Sequence, residues 1–266
     1  MSSALLEVAG VTLQYKTPYH LVTATYRIDF TVHEGDRYVI LGPSGCGKTT
    51  LLKAVGGFMA PVEGSIRIRG RSVDAPGPDR MMVFQEFEQL MPWKTVYQNV
   101  LFPMKVTRKF APAEAAARAN AAIDKVRLGD FRDVYPHMLS GGMKMRVAIA
   151  RAMALEPDIL LMDEPFAALD ALTRRAMQQE LLALWEQLRF TVLFVTHSIE
   201  EAIIIGSRIL VLSPHPGRVR AELDADALGF ANIDQSEFGA MSKRIHALLF
   251  DDGQIRTEME PERVRQ

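Results

Sequence analysis

Gly42-Pro43-Ser44-Gly45-Cys46-Gly47-Lys48-Thr49-Thr50 lies directly after the apolar run Arg37–Leu41 and directly before the helix-prone run Leu51–Val55. The segment fits Gly-x-x-x-x-Gly-Lys-[Ser/Thr] in the strand–turn–helix setting that a phosphate-binding loop needs. Each residue type has a chemical reason. Glycines at 42, 45 and 47 let the backbone curl until successive N–H groups point at phosphate oxygens. A helix starting near Lys48 adds the positive end of its dipole. The Lys48 ammonium reaches the β- and γ-phosphates, and the Thr49 hydroxyl is a ligand for Mg²⁺. The stretch predicts a bound nucleotide.

Composition narrows the class. The chain has 266 residues, enough for one large α/β domain or a domain with an inserted subdomain. Its formal net charge of −1 excludes a strongly basic nucleic-acid binder, and there is no polybasic patch for anionic lipid. Met1-Ser2-Ser3-Ala4 lacks the basic and apolar stretches of a signal peptide. No apolar run approaches the ~18 residues of a membrane span. Cys46 is the only cysteine, which leaves no internal disulfide and fits a reducing compartment. The expected compartment is the cytosol.

Periodicity gives the layout. Leu6–Leu13, Tyr26–His33 and Ser65–Arg69 alternate apolar and polar residues, predicting an antiparallel sheet with turns at Glu34-Gly35 and Glu63-Gly64. Met81–Phe84 is a short apolar run that closes this region. Val96–Met104 and Pro112–Val126 have a helical period, with Pro112 suited to a first turn. Ile159–Met162 and Val192–Val195 are continuous apolar runs, as buried parallel strands are. Between them Ala171–Leu188 predicts a helix with Leu172, Leu181, Leu184, Trp185 and Leu188 along one side, Trp185 read as core. From Ala221 the chain is charged and irregular, with an amphipathic segment at Phe238, Met241, Ile245 and Leu249. The fold class is α/β: a doubly wound P-loop (RecA-like) core, an N-terminal antiparallel β subdomain, and an inserted α-helical subdomain. The domains read as 1–222, with the helical insert at about 87–151, and a helical C-terminal extension at 223–266.

Two further segments carry chemistry. The apolar run Ile159–Met162 ends in Asp163-Glu164, delivering Asp163 to the carboxyl edge of the sheet, where it can hold Mg²⁺ opposite Thr49. Glu164 is placed to polarise a water in line with the γ-phosphate. Leu139-Ser140-Gly141-Gly142 precedes the helical stretch Met143–Leu155 and offers a second anion site at a helix N-terminus. One helix end contributes only ~0.3–1 kcal/mol when exposed and up to ~2 when partly buried. It suits one jaw of a clamp; without context the same turn is a plain helix cap.

Together these segments resemble the ATP-binding subunits of ABC transporters, from Leu5 to Arg218. Leu139-Ser140-Gly141-Gly142-Met143 is similar to the ABC signature, Gln85 to the Q-loop glutamine, Ala167-Ala168-Leu169-Asp170 to the D-loop, and His197 to the switch histidine. Tyr15 stands where such proteins stack an aromatic ring on adenine. The resemblance implies ATP and Mg²⁺ as cofactors. It assigns Gly42, Pro43, Ser44, Gly45, Cys46, Gly47, Lys48, Thr49 and Thr50, with Tyr15, Asp170 and Ser140–Gly142, to the nucleotide. Thr49, Gln85 and Asp163 fall to the metal, and Glu164, His197 and Gln85 to catalysis. It also implies a head-to-tail dimer with a second copy or a paralogue, in which Ser140–Gly142 of one copy cover the nucleotide on Lys48 of the other. The remaining implied partners are two transmembrane permease subunits and, indirectly, a solute-binding protein, at the cytoplasmic face of a bacterial inner membrane.

Pro76-Gly77-Pro78-Asp79-Arg80, Met91-Pro92-Trp93, Ala168–Arg174 and Ser213–Arg218 resemble the nitrate/sulfonate/taurine importer branch, which takes up small, mostly anionic solutes. Lys144-Met145 and Ser198 depart from it, standing where Gln with a polar residue, and Asp, are more usual. Phe84, Phe87, Leu90, Met91, Pro92 and Trp93 surround Gln85 as an apolar stretch. It reads either as the floor of a groove for a permease helix or as packing for the insert. A soluble ABC-type ATPase uncoupled from transport is the alternative. Such proteins usually carry long coiled-coil inserts or two fused cassettes, and the chain has neither. A scaffold that does not hydrolyse ATP sits badly with Glu164 and His197, and a small-molecule kinase leaves Ser140–Gly142 unexplained.

Overall fold

The computed structural model describes residues 4–16, 20–84 and 89–250. Among them the strands form two sheets. The first is antiparallel, ordered β2 (Leu21–His33), β1 (Ala4–Lys16), β4 (Glu63–Ile68) and β5 (Arg71–Ser72). The second is ordered β10 (Val219–Asp224), β9 (Arg208–Leu212), β3 (Arg37–Leu41), β8 (Thr191–Thr196), β7 (Ile159–Asp163) and β6 (Arg80–Val83). It is parallel except for β10, which runs antiparallel to β9.

The continuous apolar strands are buried on both faces, and alternate residues serve different cores. Tyr38, Ile40, Ile159, Leu161, Leu193, Val195, Leu210 and Leu212 face one cluster with the antiparallel sheet and helix α1 (Lys48–Val55). Val39, Leu41, Leu160, Met162, Val192, Phe194, Ile209 and Val211 face the other, which holds the remaining helices. Leu51 and Leu52 of α1 are fully buried between the sheets, each contributing roughly 1.5–3 kcal/mol. That burial fixes the helix that follows the glycine-rich loop.

Helices α2 (Val96–Thr107), α3 (Pro112–Lys125) and α4 (Gly141–Ala154) lie between β6 and β7 in the chain and pack on one another. Thr95 begins α2 with a full capping box to Gln98, and Pro112 opens α3 at its first turn. Helix α5 (Ala171–Leu188) runs between β7 and β8, and α6 (Ile199–Ile205) follows β8. Helix α7 (Ser236–Phe250) buries Phe238, Ile245 and Leu249 and packs against α6 and β9.

Three expectations change. Leu172 is 84% exposed rather than on the buried side of α5, and Leu188 at its end is exposed too. At ~100° per residue Leu172 lies ~180° from Leu181. The true stripe is Met177, Gln178, Leu181, Leu184 and Trp185. Glu63-Gly64 begins β4 rather than forming a turn. Gly64 sits at φ 84° in an irregularity of the β1–β4 pairing, where a Cβ would lie 2.4 Å from the carbonyl oxygens of Ala9 and Gly10. The region after Ala221 also contains most of β10, a charged edge strand with only Leu223 buried. Trp185 is core, as read. Its Nε1 donates to Gly35 O at 3.1 Å, and its ring is stacked between the guanidiniums of Arg37 and Arg189 at 4.0 and 4.2 Å.

Candidate active site

Strand order assembles the site. β8 lies between β3 and β7, with Leu41 paired to Thr196 and Asp163 to Val195. The next residues, Gly42, Glu164 and His197, therefore leave the sheet side by side at its carboxyl edge, where ligands bind in open α/β folds.

Gly47 caps α1 in the left-handed region at φ 95°, and a Cβ there would lie 2.6 Å from Ala24 O. Only glycine fits both constraints. Helix α1 has no side-chain cap and no acid in its first turn, whereas α2, α4, α5 and α6 are capped by Thr95, Ser140, Asp170 and Ser198. The first N–H groups of α1 are thus left for an external acceptor, and the helix dipole favours an anion there. Lys48 is 4% exposed; its Nζ donates to Gly42 O at 2.9 Å and Pro43 O at 3.0 Å and lies 3.7 Å from Glu164 Oε1. A largely desolvated ammonium at this helix end makes a strong phosphate site. Cys46 is fully buried inside the loop, and burial pushes its thiol pKa up, so it acts as a spacer.

Asp163 Oδ1 accepts from Thr49 Oγ1 at 2.9 Å. Burial pushes the Asp163 carboxyl above the usual range; the Thr49 hydrogen bond opposes this and the nearby Glu164 charge adds to it. A buried carboxylate and a hydroxyl side by side are hard oxygen donors left short of positive charge, a donor set that fits Mg²⁺. Glu164 is held from both sides. Its Oε2 lies 2.8 Å from His197 Nδ1, its Oε1 faces Lys48, and its N–H donates to Val195 O at 3.0 Å. An ionised Glu164 requires the imidazole proton on Nδ1. Glu164 takes φ 43°, a conformation a non-glycine residue holds only when its surroundings dictate it.

The other sequence-derived candidates fall in separate places. Ser140 caps α4 by accepting from Met143 N at 3.3 Å, and Gly142 is packed so that a Cβ would lie 3.1 Å from Thr173 Cγ2. Asp170 caps α5 by accepting from Thr173 N and Leu172 N at 3.0 and 3.1 Å. A side-chain hydrogen bond with Thr173 foremost, and then these backbone bonds, hold its carboxyl below the usual range. Tyr15 is exposed near the end of β1, opposite Val22. Gln85 and Phe87 lie outside the described residues. Of the apolar stretch around them, Leu90 is core, whereas Trp93 is 71% exposed. The sequence reading passed over Arg174, Gln178, Thr196 and Glu201, which line or underlie the space behind His197. Ser198-x-x-Glu201 is a readable capping-box pattern and was the available signal.

The family model for ABC transporters matches residues 26–167, which contain the glycine-rich loop, Ser140–Gly142 and Asp163-Glu164. The chain belongs to the ABC transporter family. This cassette is 44% identical to a taurine import ATP-binding protein of Rhizobium johnstonii, over 89% of this chain and 92% of that protein. It is 42% identical to a bicarbonate transport ATP-binding protein of Synechocystis, over 81% of this chain and 76% of that one. Its fold is similar to the dimeric structure of an ATP-binding cassette in a post-hydrolysis state with ADP and Pi. The TM-score is 0.71 and the identity 33%, covering 83% of this chain and 98% of that one. The cassette is an ABC-type ATPase subunit of the nitrate/sulfonate/taurine importer branch. Two of the departures from the branch pattern, Met145 and Ser198, have local explanations; nothing in the structure explains Lys144. Met145 is buried in the core, and Ser198 caps α6 by accepting from Glu201 N at 3.3 Å. Among the described residues no helix is long and apolar enough to cross a membrane.

Proposed function

We propose that this cassette hydrolyses Mg²⁺–ATP to power an importer of a small, mostly anionic solute: taurine or another sulfonate, nitrate, or bicarbonate. The observation that carries this reading is the uncapped N-terminus of α1, facing Lys48 and the Glu164–His197 pair at one sheet edge. In it, the loop from Gly42 to Thr50 cradles the phosphates, Lys48 exchanges its carbonyl partners for β- and γ-phosphate oxygens, and Tyr15 stacks on the adenine. Thr49 and Asp163, with Gln85, hold Mg²⁺, which when bound offsets phosphate charge. Glu164 takes a proton from the attacking water as Lys48 and His197 fix its carboxylate in place. His197 orients Glu164 through Nδ1, leaving Nε2 for the γ-phosphate.

The proposal places two copies head to tail, or one copy with a paralogue, so that Ser140–Gly142 and the Asp170 loop of each cover the other's nucleotide. Two permease subunits receive the motion through the surface around Trp93, and a solute-binding protein delivers the cargo; the cassette lies on the cytoplasmic face of the membrane. Residues 1–222 act as the ATPase unit and 223–266 as an extension. The names of the taurine and bicarbonate relatives support the solute class. In the test, Lys48→Ala loses hydrolysis, and Glu164→Gln retains ATP without turnover. Co-expression with a permease then gives a complex whose ATPase rises with taurine, nitrate or bicarbonate. Turnover by either variant overturns the site reading, and an ATPase indifferent to all three solutes overturns the solute class.

A further inference from the structure

We infer that Glu201 is a positioning residue for hydrolysis: acting through the Thr196 hydroxyl, it sets the orientation of His197 from behind. The inference rests on Glu164 and His197 being the hydrolytic pair.

Arg37, Lys48, Asp163 and Glu201 are the buried charged residues among those described. Lys48 and Asp163 belong to the nucleotide site, and Arg37 stacks on Trp185 and pairs with Asp226. Glu201, 6% exposed, is the buried acid outside that site. Burying a carboxylate is costly, and an apolar side chain of similar size would pack there at less cost. Its contacts show what it does instead. Glu201 Oε1 accepts from Gln178 Nε2 at 3.0 Å, and Oε2 accepts a short bond from Thr196 Oγ1. The same Thr196 oxygen accepts from Ser198 N at 3.0 Å, and Ser198 Oγ accepts from Glu201 N. The two residues flanking His197 are thus tied to each other through one hydroxyl, and Glu201 dictates which way that hydroxyl points. In an ordinary capping box the glutamate would take the Ser198 N–H itself. Here Thr196 stands between them.

The side chains around the imidazole leave a cavity beside it. A cavity of about 50 Å³ is lined by Glu164, Ala167, Arg174, Thr196, His197, Ser198 and Glu201, so hydrogen bonds rather than packing must hold the ring on Glu164. Arg174 closes the far side. It donates to Phe166 O and Leu169 O at 3.2 and 2.9 Å, pinning the loop that follows Glu164. Arg174 and Gln178 both belong to α5, so one helix holds the loop after Glu164 through the first and Glu201, behind the histidine segment, through the second.

Thr196→Val, Glu201→Ala and Glu201→Gln, made in the full chain with and without His197→Ala, test this through kcat and KM per nucleotide-binding site. Thr196→Val and Glu201→Ala are expected to lower kcat by about 10- to 100-fold, as for a reacting group misplaced by about an ångström, with the KM for ATP unchanged. Glu201→Gln restores most of kcat, because its carbonyl accepts from Thr196 and its NH₂ meets a flipped Gln178 amide. In the His197→Ala background Glu201→Ala adds no further loss. Unchanged kcat in Thr196→Val, or additive losses in the double variant, overturns the inference while leaving the pair intact. Should Glu201→Ala fail to fold, Thr196→Val and Glu201→Gln decide. Wild-type turnover by His197→Ala overturns the pair itself, a separate and recognisable result.

Discussion

Gly217→Ala adds one methyl group against the backbone of the phosphate loop, replacing no group assigned to the chemistry. Gly217 is fixed to β2 by two hydrogen bonds, from its N–H to Ala24 O at 3.0 Å and to its carbonyl from Tyr26 N at 2.9 Å. A Cβ at this position would lie 2.2 Å from Cys46 O, where ordinary contact begins at 3.4 Å. Something must move by about 1.2 Å, and the obstacle is backbone rather than the end of a flexible side chain. The β2 bonds hold one side, so the Cys46 peptide yields and carries the loop with it. Overpacking of this kind costs about 1–3 kcal/mol, which for a domain of this size is a fall in Tm of about 2–12 °C. A loop displaced by about an ångström lowers kcat/KM for ATP on the order of 10²-fold. Scanning calorimetry without nucleotide and an ATP-titrated phosphate-release assay measure the two effects separately. A variant with the wild-type Tm and kcat/KM refutes the claim that contact from Gly217 sets the loop's position.

Asp163→Asn is predicted to raise the Tm of the nucleotide-free protein while abolishing Mg²⁺-dependent ATP binding, because burial holds the carboxyl pKa above its ordinary value. The sign follows from linkage: the protonated form is favoured in the folded state, so the wild type loses stability as pH rises through the folded pKa. The Tm gap is therefore widest near neutral pH and closes as pH falls below the ordinary carboxylate range; a pH-independent gap contradicts this. Gly239→Ala, exposed in α7 with nothing within 4 Å of its added Cβ, should stabilise the chain by about 0.5–1 kcal/mol, and a loss of stability in a denaturant titration would count against it.

Long, strongly patterned segments were legible from residues alone. The loop at 42–50 and the apolar runs ending at Leu41, Met162 and Val195 announced both the sheet and the edge where chemistry collects. What escaped were features whose signal lies in geometry. Leu172 looked like part of an apolar stripe until its angle on the helix was counted. Gly64 looked like a turn because a strand bulge and a turn both call for a left-handed glycine. Strand β10 was hidden because an edge strand with one buried residue has no alternation to read. Glu201 and Gln178 drew no reading, since beyond the capping-box spacing from Ser198 nothing local says that a glutamate at the third position of a short helix will be buried under its neighbour's hydroxyl. Ser198, a departure from the branch pattern, keeps the capping role that an aspartate would fill.

Dimers purified with one Ser140→Arg copy and one Lys48→Ala copy, each carrying its own tag, test the central proposal most directly. If each nucleotide is enclosed by the loop of one copy and the Ser-Gly-Gly turn of the other, both parent homodimers are inactive, and the mixed dimer retains one intact site of two, about half the wild-type turnover. Full turnover by the Ser140→Arg homodimer, or a mixed dimer as inactive as its parents, contradicts it.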